Sequence, residues 1–225
     1  MDKMIVYEDN VLLIIHKPAG IATQTSRVGQ ADMVSELKNY RKRKGEDTYI
    51  GVIHRLDQPV EGLLVFAKNQ STAEILSRQI QDKALKKSYL ALVQGELAHN
   101  SGGKLTDFLQ KDNRTNLSKI VKEGTNGAKK AVLNWKCRKT YQGKGCSMVE
   151  IELLTGRHHQ IRAQFANVGM PLLGDMKYGT EASKALSRQL GVTNTSLLAH
   201  KLALLHPITG KILEYQIDWR EPLIQ

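Results

Sequence analysis

Apolar residues recur along this chain in two rhythms, one of period two and one near 3.6, and these divide it into strands and helices. Met4 to Tyr7 and Val11 to Ile15 are short apolar runs, broken at Asn10 and closed by Lys17-Pro18-Ala19-Gly20. That pattern predicts strand, strand and tight turn. From Asp32 to Lys44, the residues Met33, Val34, Leu37 and Tyr40 fall at helical spacing. The segment ends in Arg41-Lys42-Arg43-Lys44-Gly45, with cations where a helix dipole favours them. Tyr49 to Ile53 and Leu63 to Ala67 are β-prone runs on either side of the polar loop His54-Arg55-Leu56-Asp57-Gln58-Pro59-Val60-Glu61-Gly62. Ser71 to Lys83 places Ala73, Leu76 and Ile80 on one helical face. Further strands are predicted at Tyr89 to Val93, Ala131 to Cys137, Met148 to Leu154, Leu197 to Leu205 and Ile212 to Ile217. A helix is predicted from near His158, with Ile161, Phe165 and Val168 at apolar spacing, and the polar stretch from Asp112 to Lys130 suits an exposed arm.

Strands come in adjacent groups with a few helices between them, which predicts an α+β fold with a largely antiparallel sheet rather than a doubly wound one. No repeat or low-complexity linker interrupts the 225 residues, so one domain is the simplest account.

Charge narrows the partner. Thirty-three Lys and Arg against 22 Asp and Glu give a net charge of +11. Such a surplus favours polyanions, because each phosphate contact releases condensed counterions. The run Arg41 to Lys44 suits either phosphate contact or a solvated helix end. Lys86, Lys87 and the pair Lys129-Lys130 are further candidates for a backbone grip, on charge alone. Cys137 and Cys146 lie in strand-forming sequence with no second pair of ligands, which makes them core residues rather than a zinc site or disulfide. The start of the chain has no signal-peptide pattern, and no apolar stretch reaches membrane-spanning length, so a cytoplasmic location is expected.

The chain contains no Walker loop, no His-Glu-x-x-His and no Gly-x-Ser-x-Gly. His158 and His159 are neighbours, and neighbours in regular structure point apart, so a metal held between them is not expected. Aromatic content is only 5%, which argues against a module that binds single strands mainly by stacking, so binding would rest on charge and shape. What remains is a carboxylate beside arginine, Arg55-Leu56-Asp57, and a later basic cluster, Thr155-Gly156-Arg157-His158-His159-Gln160-Ile161-Arg162. A carboxylate held near arginine stays ionised and oriented, which suits a nucleophile or a base. Asp57 before Gln58-Pro59 is equally an ordinary turn residue, and Arg162 an ordinary salt-bridging one.

His54-Arg55-Leu56-Asp57, followed by Gly62-Leu63-Leu64-Val65-Phe66-Ala67-Lys68, resembles the catalytic motif of the RluA-type pseudouridine synthases. Four more blocks agree in order: Lys17 to Gly20, Lys87-Ser88-Tyr89-Leu90-Ala91-Leu92-Val93, Leu154 to Arg162, and His206-Pro207-Ile208-Thr209-Gly210. The resemblance implies the pseudouridine synthase fold, a largely antiparallel mixed sheet with flanking helices and a central catalytic cleft. It implies Asp57 as catalytic aspartate, Tyr89 beside the target base, Arg162 as the aspartate's ion-pair partner and Ile161 packed under the base. Arg55, with His54 before it, stands where the family handles the everted nucleotide. Two departures stand out: Gln58-Pro59-Val60-Glu61 where the family usually has Thr-Ser before glycine, and His158 in place of a common threonine. Glu61 adds negative charge to the loop. Many relatives carry an N-terminal S4 domain; here the Lys-Pro block begins at residue 17, so a single catalytic domain without one is expected.

The implied reaction detaches uracil at N1, turns it and rejoins it through C5. No redox step or group donor is involved, so no cofactor and no metal is expected, and the partner is structured ribosomal or transfer RNA. One carboxylate serves either as nucleophile or as base on the sugar. Two other readings use the same residues: a non-catalytic RNA-binding or assembly protein on this fold, and a nucleosidase-like enzyme acting on free nucleosides.

Overall fold

The computed structural model describes residues 1–25 and 29–219. Along the chain run β1 (Ile5–Glu8), β2 (Leu12–Lys17), α1 (Met33–Arg43), β3 (Gly51–Val52), β4 (Glu61–Ala67) and α2 (Gln70–Gln81). They are followed by β5 (Lys86–Gln94), β6 (Gly102–Asp112), β7 (Leu117–Val121), β8 (Lys129–Tyr141) and β9 (Cys146–Leu153). The last elements are α3 (Gln160–Asn167), α4 (Glu181–Gln189), β10 (Leu197–Leu205) and β11 (Ile212–Gln216). The described residues divide into two compact units, one of Met1–Lys87 with Ala199–Asp218 and one of Ser88–Leu198 with Trp219.

In the first unit the strands run β1-β2-β4-β10-β11, with β3 added beside the far end of β4. Leu12, Leu13, Ile14 and Ile15 of β2 are fully buried, the continuous apolar run expected of a strand covered on both faces. Helix α2 lays Leu76, Ala73 and Ile80 against Leu63, Val65, Ala67, Leu12, Ile14, Leu202 and Leu204. Both helices start on side-chain caps: Asp32 accepts the Ser35 N–H at 2.7 Å, and Asn69 accepts that of Thr72 at 2.9 Å. Gly62 sits at φ +138°, and a Cβ there would lie 2.5 Å from the backbone N and O of Ala199. Only glycine lets β4 pass its neighbour at this point.

The turn Pro207–Gly210 between β10 and β11 is tied by His206. Its Nδ1 accepts the N–H groups of Ile208 and Thr209, so Nε2 carries the proton and donates to Asp9 at 2.7 Å. Burial would raise the Asp9 carboxyl, but the N–H groups of Val11 and Leu12, His206 and Tyr7 together hold it below its usual value. The basic end of α1 is structural in large part. Arg41 is buried and donates to the carbonyls of Tyr49 and Lys68 and to Glu46. Lys44 and Lys68 both pair with Glu8 and Glu46.

The second unit is an antiparallel sheet in the order β5-β9-β8-β6-β7. Helix α3 covers one face, where Ala163 packs with Leu109 and Ala131, and the Phe165 ring meets Trp135 edge-on at 6.1 Å. Leu186 and Leu190, at the C-terminal end of α4, pack against Leu92, Tyr141, Cys146, Leu173 and Val192. Cys137 and Cys146 are buried thiols, as the sequence predicts; burial pushes Cys146 up to about 11.

Three elements depart from the sequence expectation. The stretch expected as an exposed arm is a hairpin: β7 returns along β6, with Leu109 opposite Ile120 and Lys111 opposite Ser118. Its alternation is hard to read because Lys, Thr and Gln fill the outward positions, leaving few apolar markers. Helix α4, whose buried positions include Ser183 and Ser187, is likewise not evident from apolar spacing. Helix α3 begins at Gln160 rather than near His158, because His159 takes a left-handed conformation, φ 52°.

Candidate active site

Asp57 lies half-buried in the loop between β3 and β4, and both residues beside it are pinned. Before it, the hydroxyl of Thr23 accepts the Leu56 N–H at 3.1 Å and donates to the Leu56 carbonyl at 2.9 Å. After it, the Gln58 carbonyl accepts the Gly20 N–H at 2.9 Å and the ammonium of Lys17 at 3.3 Å, while the Gln58 side chain donates to the Gly20 carbonyl. The Val60 N–H closes the turn on the Asp57 carbonyl at 3.0 Å. The carboxylate therefore stands on a backbone fixed at both shoulders.

Lys17 is the centre of this clamp. It is 0% exposed, and its ammonium also donates to the carbonyls of Pro18 at 2.9 Å and Ile21 at 2.7 Å. Burial pushes it down to about 8, although the negative charges of Asp57 and Glu61 pull the other way. Glu61, the extra acid of this loop, accepts from or ion-pairs with Nε2 of His16 at 2.7 Å.

The other residues named from sequence are divided between the two units. Arg55 is exposed and donates to Gln24 at 3.2 Å. His54 is buried, and its Nε2 accepts the Val65 N–H at 3.4 Å. Burial, with the positive charge of Lys87, holds its imidazole well below its usual pKa, so the ring is neutral. Burial also lowers Lys87, while Lys86 is exposed, so of that pair Lys86 is the more available cation.

Tyr89, Ile161 and Arg162 belong to the second unit, and all three are buried. Tyr89 lies on β5 opposite Ile151 of β9. Arg162 gives both Nε and Nη2 to Asp175, at 2.7 and 2.8 Å, with the two side chains only 3% and 0% exposed. Burial would raise the Asp175 carboxyl, but Arg162 and the N–H groups of Lys177 and Tyr178 hold it below its ordinary value. The guanidinium also lies over the Tyr178 ring, 5.2 Å from its centre. The Tyr178 hydroxyl accepts the Ser118 N–H at 2.7 Å and bonds to Nδ1 of His159 at 2.9 Å.

The histidine pair corrects an expectation. The rings of His158 and His159 stack 3.7 Å apart, because left-handed backbone at His159 breaks the geometry that would splay them. Their Nδ1 atoms bond to Ser118 and Tyr178, so the pair serves to fix the β6–β7 hairpin to the start of α3.

Sequence reasoning picked out the Lys17 block without giving it a task, and it missed Thr23, Asp175 and Tyr178. The signal for Lys17 was a lysine closing a strand that opens on the apolar run Leu12 to Ile15. Thr23 carried no signal, being one hydroxyl residue among several.

Residues 11–167 match the family model described as RNA pseudouridylate synthase. The chain is 38% identical over 210 residues to an uncharacterized RNA pseudouridine synthase of Bacillus subtilis (strain 168), covering 93% of this chain but 66% of that relative. It is 31% identical to the tRNA pseudouridine synthase C of Pasteurella multocida (strain Pm70), covering 91% of this chain and 86% of that one. The solved structure of human RNA Pseudouridylate Synthase Domain Containing 4 shares the fold, with a TM-score of 0.77 at 20% identity over 98% of this chain and 90% of its own. The pinned aspartate loop, its sequence motif and the family match together show that the chain belongs to the RNA pseudouridylate synthase family.

Proposed function

We propose that this protein converts particular uridines of structured ribosomal or transfer RNA to pseudouridine, with Asp57 as the catalytic carboxylate. The observation that carries the reading is the clamp on Leu56 and Gln58, which holds one acidic residue of a family motif in a fixed position without burying it. An enzyme that breaks the N1 glycosidic bond and rejoins C5 to the same sugar carbon needs such a carboxylate, as nucleophile or as base. The proton leaves C5 and N1 gains one, so no redox partner or group donor enters the balance.

The remaining roles follow the family motif: Tyr89 beside the base, Ile161 beneath it, and Arg162 as the partner of the Asp57 carboxylate. Within its own unit Arg162 gives Nε and Nη2 to Asp175, which fixes the guanidinium in place. Arg55, exposed beside the loop, is the arginine suited to the everted nucleotide, and flipping that nucleotide costs a few kcal/mol that such contacts offset. His54, neutral and bonded to the β4 backbone, supports the loop from below more than it touches RNA. The protein acts where its RNA is, in the cytoplasm; among the described residues no helix is long and apolar enough to cross a membrane.

The test is tritium release from unmodified ribosomal and transfer RNA transcripts labelled at uracil C5. The expected result is release by wild type and none by Asp57→Asn, with RNA binding retained in both. Binding without release by wild type would favour a non-catalytic RNA-binding protein, and activity on free uridine would favour a nucleosidase-like one.

A further inference from the structure

The stretch from Gly102 to Tyr141, which is β6 through β8, holds ten Lys and Arg against three Asp and Glu. Less than a fifth of the chain thus carries seven of its eleven net positive charges. Its two faces differ. Leu105, Asp107 and Leu109 of β6, with Ala131 and Leu133 of β8 and Ile120 of β7, share one face by register. Helix α3 covers that face, with Ala163 against Leu109 and Ala131 and the Gln164 amide on Asp107 at 2.7 Å.

Positions one step out of phase point the other way. There Lys104, Thr106, Phe108 and Gln110 of β6 lie opposite Asn134, Val132, Lys130 and Lys119 in turn. Lys104, Lys119 and Lys130 are exposed, while Phe108, Val121 and Val132 form a half-buried apolar strip between them. Lys119 has Asp112 at 3.8 Å but is 65% exposed, so that surface pair leaves its charge open to a stronger anion. Arg157, also exposed, leans against the edge of the patch by donating to the Lys130 carbonyl at 2.9 Å. From Lys104 to Gln110 the strip is about 20 Å long, at roughly 3.4 Å per residue, which spans several phosphates of one RNA strand.

We propose that this face of the β6–β7–β8 hairpin docks the sugar-phosphate backbone of the RNA substrate, through Lys104, Lys119 and Lys130, at nucleotides other than the reacting uridine. The identity of the ligand rests on the proposed RNA-modifying function; the surface itself rests on register, exposure and charge. A predominantly cationic sheet face gives affinity and orientation without base readout. It therefore bears on KM and on salt dependence, and leaves the chemical step alone.

The test measures binding of ribosomal and transfer RNA transcripts across a salt series, with tritium-release kinetics alongside, for Lys104→Ala/Lys119→Ala/Lys130→Ala. Each lysine removed is expected to lower the slope of log K against log salt by about 1, and the triple variant by about 3. KM is expected to rise and kcat at saturating RNA to stay at the wild-type value. The Lys→Arg triple variant keeps the charges and is expected to restore both slope and KM. An unchanged slope and KM in the Ala variant would overturn the proposal, as would a fall in kcat with KM unchanged. Loss of polyglutamate binding while RNA binding persists would assign the face to an acidic protein and overturn it as well. If wild type releases no tritium from any transcript yet binds RNA with a slope that depends on these lysines, the docking surface stands and the enzymatic reading falls.

Discussion

Replacing Lys17 by Met, nearly the same length and uncharged, separates stability from activity at the Asp57 loop. Three carbonyls receive the Lys17 ammonium, but Gln58 keeps a second donor, the Gly20 N–H. The loss falls on Pro18 and Ile21, at about 1–3 kcal/mol for each buried carbonyl left without its donor. Against that stands the cost of burying the ammonium. A pKa lowered from 10.5 to about 8 corresponds to about 3 kcal/mol at neutral pH, at roughly 1.4 kcal/mol per decade. The two terms largely cancel, and urea unfolding is expected to show a destabilisation below about 3 kcal/mol. Activity has no such compensation, because Gln58, one residue from Asp57, loses its Lys17 donor while the Pro18–Ile21 turn that carries its remaining Gly20 tether loses two donors as well. A displacement near 1 Å lowers turnover about a hundredfold, which tritium release at saturating RNA would read. The pH dependence carries the same signature. Because the folded pKa lies below the unfolded one, the unfolded chain binds more protons between about 8 and 10.5, so stability rises through that window as pH rises. Activity moves the opposite way: above about 8 the neutral amine has too few donors for three carbonyls. Wild type should therefore lose rate above that pH while Lys17→Met shows no such limb. Wild-type turnover in a folded Lys17→Met variant, or a loss of stability beyond about 5 kcal/mol, well outside the balance of the two terms, would refute the reasoning.

Thr23→Val keeps the shape and removes the hydroxyl that serves both backbone groups of Leu56; it is expected to cost about 2–4 kcal/mol in urea unfolding and to lower kcat more than it changes KM. Asp175→Asn takes a hydrogen-bonded carboxylate charge from the buried Arg162 guanidinium and should destabilise by about 3–5 kcal/mol. Because the folded pKa of Asp175 is depressed, its contribution is present above the unfolded carboxylate value and is lost as pH falls through the folded one. Acid titration of wild type and Asp175→Asn, followed by unfolding, should therefore converge as pH falls through the depressed range of the folded carboxyl. Gly62→Ala drives a Cβ to 2.5 Å from the Ala199 backbone and is expected to cost at least about 3 kcal/mol or to prevent folding; soluble yield and unfolding midpoint measure it.

How far the sequence reaches differs from one residue to the next. β2 and β4 could be read from it because unbroken apolar runs such as Leu12 to Ile15 can only be buried on both faces. Helices α1 and α2 could be read because Met33, Val34, Leu37 and Tyr40, and then Ala73, Leu76 and Ile80, recur at helical spacing, whereas their caps Asp32 and Asn69 were not singled out. Asp57 stood out only because its neighbours formed a known motif; by itself it was one turn residue before a proline. The basic run at the end of α1 shows the opposite case. Its cations read as a surface feature, yet Arg41 is buried against carbonyls far along the chain, and Lys44 meets acids at Glu8 and Glu46.

The chain's order of apolar and polar residues thus determined its α+β class, most of its strands and helices, its polyanion-seeking charge and the segment that bears the candidate carboxylate. Tertiary structure alone decided that a buried lysine from residue 17 and a threonine from residue 23 hold that carboxylate's backbone, and that Asp175 holds Arg162. It also decided that a polar stretch becomes a hairpin with one covered and one cationic face. The physical reason is that period and capping act over a few residues, whereas burial of a charge, donation to a distant carbonyl and strand register depend on which segments the fold brings side by side.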